Sequence, residues 1–121
     1  MISEHLPSGR VVFDARVLGI SAFYRAYRMP WSGMAPGRPL VVARRAEAGS
    51  SVFVSWNGDT RVRKWRVRGG ASATDLPVLK TVVRDGFETR IGIGPSRRWV
   101  RVEGLDAKGK RLGASKTVRV G

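Results

Sequence analysis

The chain has 121 residues, no cysteine, one histidine, and 23 Lys and Arg against 9 Asp and Glu, for a formal net charge of +14. That length supports one self-sufficient core with at most an appendage, and the absence of thiols excludes disulfides and thiolate metal sites. The charge predicts attraction to nucleic acid, anionic membrane surfaces or acidic polymers, and it lies mostly late in the chain: residues 1–35 hold four basic and two acidic side chains, residues 36–121 nineteen and seven.

The first segment, "MISEHLPSGR", lacks the basic and apolar regions of a signal peptide, and no later run approaches the length of a membrane span. The expectation is a soluble chain with no membrane span and no export signal of its own. His5 lies in a polar stretch near the start, where a surface side chain is expected, which argues against a histidine metal site or a Ser/His/Asp triad here. "GRVVFDARV" then predicts one strand and "AFYRAYRMPW" a second, joined by "LGIS". Two strands do not make an independently stable unit. They must pack on the next domain, pair with another chain, or belong to a larger sheet. The Pro/Gly-rich stretch Pro30 to Pro39 marks the boundary that follows.

Beyond it, alternating apolar and polar residues recur in short runs punctuated by Gly, Pro, Asn and Asp, the pattern of an all-β domain. Strands are predicted near 39–44, 51–57, 61–68, 77–84, 87–93, 98–105 and 115–120. Turns fall at "NGD", "RDG", "GPS" and "DAKGK". Seven short strands over fewer than ninety residues fit an immunoglobulin-like sandwich. The alternation places Val52, Val54 and Trp56 inward, with Ser51, Phe53 and Ser55 opposite. It likewise turns inward Trp65 and Val67, then Phe87, Ile91 and Ile93 with Thr89 between them. Val100, Val102 and Gly104 follow, with Trp99, Arg101 and Glu103 outside, and Val118 and Val120 complete the core.

Several motifs point to no chemistry. The aspartates lie mainly in turns and are not spaced as a calcium loop requires, "GIGPS" lacks the lysine–serine pair and helix of a phosphate loop, and the serines have no histidine base nearby in sequence. No cofactor is expected.

Taken in order, "SEHLPSGRVVFDARV", "YRAYRMPWSG", "VFVSWNGDTRVRKWRVRGG", "GFETRIGI" and "WVRVEGLDAKGKRLGAS" resemble the C-terminal end of arylsulfotransferase-family proteins of the β-propeller type. The resemblance covers most of the chain. It implies an all-β fold, an immunoglobulin/fibronectin-III-like β-sandwich preceded by a two-stranded remnant of a β-propeller blade. The segments would be 1–33 (propeller strands), 34–38 (linker) and 39–121 (sandwich). It also implies a propeller domain as partner, supplied by upstream sequence or another chain, and a family often exported. Family members move sulfate through a histidine nucleophile. No position here matches that histidine, so the chain alone is not expected to catalyse the transfer. Arg25 and Arg28 suit a sulfate as guanidinium groups, but with Tyr24 and Tyr27 they are read first as packing between propeller and sandwich.

In an immunoglobulin-like topology the third, sixth and seventh sandwich strands adjoin. The outward Lys64, Arg66, Arg68, Arg101 and Arg119 then share one surface with Trp99. Basic side chains around an aromatic suit single-stranded nucleic acid. Against a specific site, other cations (Arg44, Arg45, Arg84, Arg97, Arg98, Lys108, Lys110, Arg111) are spread over nearly every strand and turn, and no nucleic-acid-binding motif occurs. Trp99 also suits a contact that seats the sandwich on a propeller. Three functions therefore stand: a non-catalytic accessory sandwich, the tail of an active arylsulfotransferase whose propeller lies upstream, and a basic polyanion- or nucleic-acid-binding module.

Overall fold

The computed structural model describes residues 2–16, 18, 27, 29–46 and 49–121, the side chain of Ala46 excepted. The chain divides into two compact units, Met1–Pro30 and Trp31–Gly121. Among the described residues every regular element is a strand.

In the first unit, β1 (Ile2–His5) and β2 (Val11–Ala15) form an antiparallel hairpin. His5 is thus a strand residue. Its turn closes through Gly9 N–H to Leu6 O and Leu6 N–H to Arg10 O, with Gly9 at φ 82°, the left-handed region that favours glycine. Val11, Val12 and Phe13 are 51, 42 and 40 % exposed. Successive strand residues point to opposite faces, so the hairpin leaves apolar surface open on both. Of the second strand expected within "AFYRAYRMPW", six of ten residues, Tyr24, Arg25 and Arg28 among them, lie outside the described residues, and the four described ones, 27 and 29–31, are not strand.

The second unit has two antiparallel sheets. One comprises β3 (Leu40–Ala46), β4 (Gly49–Ser55) and β7 (Glu88–Ile93), in the order β3-β4-β7. The other contains β5 (Lys64–Gly70), β6 (Val78–Val83), β8 (Trp99–Leu105), β9 (Arg111–Ala114) and β10 (Val118–Arg119), ordered β10-β8-β5-β6 with β9 also on β8. Their inward residues share one buried cluster: Val52, Val54, Ile91 and Ile93 from the first sheet, Trp65, Val67, Val100 and Val102 from the second. This is consistent with a β-sandwich. Trp65 and the valines at 52, 54, 62, 67, 100 and 102 are fully buried, and each such side chain stabilises by roughly 1.5–3 kcal/mol. The Trp65 indole N–H donates to Thr89 Oγ1 at 3.1 Å, which satisfies the one polar group it brings inside.

The segment between Trp31 and Pro39 belongs to this unit. Ala35 is buried, Pro36 O accepts from Trp56 Nε1, Thr60 N–H donates to Gly33 O, and Gly33 N–H donates to Thr60 Oγ1. Turn chemistry follows the sequence. Gly58 and Gly109 take positive φ, and Asp106 Oδ1 accepts from the amides of Lys108 and Lys110.

Three expectations are corrected. Phe87 is 64 % exposed, because β7 begins at Glu88 and the bend before it is held by Thr89 Oγ1 accepting from Asp85 N–H. The strand expected at 115–120 shrinks to β10, Val118–Arg119, and an unexpected strand, β9, Arg111–Ala114, precedes it. Ser115 breaks the run: its N–H donates to Val102 O, and its hydroxyl accepts from Val102 N–H in place of a backbone carbonyl. The run from Arg61 is strand only from Lys64, since Asp59 draws Arg61 into the preceding turn through its backbone N–H and its guanidinium.

Candidate basic face

The pairing of β5 with β8 sets the outer face of the larger sheet. Arg66 lies opposite Glu103, Arg68 opposite Arg101, and Gly70 opposite Trp99, while Arg119 on β10 also pairs with Trp99. Paired residues share a face, and Trp65, Val67, Val100 and Val102 occupy the other. Lys64, Arg66, Arg68, Trp99, Arg101 and Arg119 therefore lie on one surface. They are not one cluster. Lys64 pairs with Leu105 and Arg119 with Trp99, at opposite ends of β8 and about 20 Å apart at a strand's usual rise. Both are exposed, and Trp99 is half-buried.

The centre of the face is not purely basic. Glu103, expected outside, is 3 % exposed. Its Oε2 accepts from Arg66 Nε at 2.7 Å and its Oε1 from Arg68 Nε at 3.2 Å, with Arg111 Nη1 at 3.6 Å from Oε1. Burial pushes the Glu103 carboxyl up, but the Arg66 hydrogen bond and the charges of Arg68, Arg66 and Arg111 outweigh it and hold the group below its ordinary value. The carboxylate is covered by the side chains that bind it.

Arg101 stands beside this group. Its Nε is buried and has no hydrogen-bond partner among the described residues. Arg68, Arg101, Glu103 and Arg111 line a depression of about 320 Å³ with the hydroxyl residues Thr74 and Thr117. A second depression of about 410 Å³ also includes Arg101 and Arg111 and adds Arg38. Three guanidiniums (66, 68 and 111) thus contact one carboxylate, and Arg101 lines the same depression. The arrangement can hold an anion electrostatically and through N–H donors.

The sequence reading missed two members. Arg111 was counted among the scattered cations because β9 was not expected. Glu103 was read as an ordinary outward residue, although a lone acid at 103 within the run Trp99 to Leu105, on a face otherwise of arginines, was the signal. His5 is exposed, with Nδ1 3.3 Å from Gly9 O and Nε2 3.2 Å from Ser3 Oγ, which corrects the expectation that no serine lies near the histidine. Among the described residues no three His, Asp or Glu side chains are grouped to hold a metal ion, and no helix is long and apolar enough to cross a membrane.

Fold and surface together define a basic, antiparallel all-β protein in which one buried carboxylate, Glu103, gathers three of the arginines. No protein-family model, curated protein or solved structure matches the chain.

Proposed function

We propose that the chain is a non-catalytic C-terminal part of an arylsulfotransferase-like protein, an accessory β-sandwich with a structural or interaction role. The observation that carries this reading is the β1–β2 hairpin, in which the adjacent Val11 and Val12 are 51 and 42 % exposed, one on each face. A two-stranded ribbon is at best marginally stable alone, so such a hairpin calls for a larger sheet, as in a propeller blade. Strand order supports the immunoglobulin/fibronectin-III-like part. The first, second and fifth strands of the second unit form one sheet, and the third, sixth and last lie together in the other. The fourth, β6, pairs with β5 rather than joining the first sheet. Sulfate transfer, on this reading, is the work of upstream sequence.

Amide hydrogen exchange on the 121-residue chain tests this. Val11 to Ala15 should exchange close to the rate of an unfolded chain, while Val100 to Val102 are protected up to global unfolding. Equal protection of the two stretches would sink the reading of β1–β2 as part of an unfinished sheet.

A second reading, a basic module for polyanions, is favoured by the guanidinium cluster around Glu103. A field of this sign attracts phosphate- or sulfate-bearing polymers, with binding that weakens steeply as salt rises.

A further inference from the structure

The guanidiniums of Arg66, Arg68, Arg101 and Arg111 carry four positive charges, and Glu103 supplies one negative. Glu103 engages Arg66 and Arg68 through their Nε atoms, leaving their Nη nitrogens to other partners. Arg68 Nη1 is turned to Leu76 O at 3.3 Å. The buried Nε of Arg101 has no acceptor among the described residues. A buried donor without a partner costs free energy, and like charges in one depression repel. Both penalties are relieved by the same thing: an acceptor with more than one negative charge, seated between Arg68, Arg101 and Arg111.

We propose that this depression is a binding site for a tetrahedral oxyanion, a phosphate or sulfate group carried as a monoester. This rests on the second reading above and names its ligand. The depression of about 320 Å³ has room for such a group, and Thr74 and Thr117 add hydroxyl donors at its rim. Arginine suits this class because its planar fork offers paired N–H donors to two oxygens of one anion. Glu103 acts as a positioning residue. It ties Arg66 and Arg68 flat against the sheet and prevents the anion from settling over β5, which directs the ligand toward Arg101 and Arg111. The recognised chemistry is the oxyanion itself, so a phosphate ester and a sulfate ester are two sources of one ligand.

The test is a titration of the 121-residue chain with inorganic phosphate, sulfate and acetate at about 0.15 M sodium chloride, where screening suppresses diffuse attraction. Backbone amide shifts report where the anion sits. The expected result is saturable one-to-one binding of phosphate or sulfate, with shifts centred on Arg101, Thr74 and Thr117. Affinity should fall at least tenfold in Arg101→Gln and in Arg111→Gln. Arg44→Gln, on the exposed face of the other sheet, should leave it unchanged. Arg111 is 57 % exposed in its side chain and on a short strand, so that variant keeps the fold if Arg101→Gln does not. The stronger of phosphate and sulfate identifies the source.

Shifts that do not saturate, an Arg111→Gln variant that binds as well as the parent, or acetate binding as tightly as phosphate would each overturn the site. A single-stranded oligonucleotide serves as a separate arm. If it binds the parent and both variants alike while phosphate does not bind, the discrete site is overturned and the diffuse basic face stands. Loss of oligonucleotide binding in all proteins at this salt, with phosphate still bound, supports the site and removes the polymer reading.

Discussion

Replacing Glu103 by Gln keeps the shape of the side chain and removes its charge, which isolates what the carboxylate does for the larger sheet. Both oxygens now accept from arginine Nε atoms, at 2.7 and 3.2 Å. An amide has only one oxygen, so its NH₂ must face a guanidinium, donor against donor. One charge-assisted bond is lost and the other becomes a bond to a neutral acceptor. Hydrogen bonds to charged groups contribute about 1.5–3 kcal/mol, and removing one partner of a buried pair costs about 3–5 kcal/mol. The arginines are 30–57 % exposed and regain water, so the cost falls to about 2 kcal/mol. For a chain of this size that lowers Tm by roughly 5–10 °C.

Tryptophan fluorescence reports the unfolding, since all four tryptophans lie in the second unit. The folded Glu103 carboxyl is held below its ordinary value by the arginines around it. Its contribution is therefore complete above the unfolded value and is lost as pH falls through the folded one. The parent and Glu103→Gln should differ most near neutral pH and converge on acidification below about pH 4.5. A difference independent of pH across that window, or a variant as stable as the parent, would refute the role assigned to the carboxylate.

Thr89→Val keeps the side-chain shape but leaves the fully buried Trp65 indole N–H and the Asp85 amide without their acceptor, and it should cost about 2–3 kcal/mol in urea unfolding. Near-parental stability would mean that water or another group replaces the hydroxyl. Gly113→Ala would place its Cβ 2.5 Å from the Trp56 ring, so overpacking should cost about 1–3 kcal/mol. Gly92→Ala meets nothing within 4 Å and serves as the control, with a change within about 0.5 kcal/mol.

The core was legible because its signal is local. Val52, Val54, Trp56, Trp65, Val67, Val100 and Val102 alternate along their strands, and the pleat converts that alternation directly into a buried face. The glycine and aspartate turns were legible for the same reason. Phe87 was misplaced because parity continues into a bend as easily as into a strand, and only the Thr89–Asp85 hydrogen bond says where the strand starts. The split between β9 and β10 depends on Ser115 bonding to Val102, thirteen residues away, which no local pattern carries. The candidate site divides in the same way. The shared face of Lys64, Arg66, Arg68, Trp99, Arg101 and Arg119 followed from alternation plus a topology. The meeting of Glu103 with Arg66, Arg68 and Arg111 depends on register between three strands, and a one-residue slip would separate them.

The proposal that these residues belong to a larger propeller-bearing protein is tested most directly by the intact mass of the native protein captured from its source cells through the second unit. The account predicts a mass well above 13.3 kDa, with propeller sequence continuous with the β1–β2 hairpin. A native mass of 13.3 kDa would contradict it and leave the basic face around Glu103 as the reading to test on an independent β-protein.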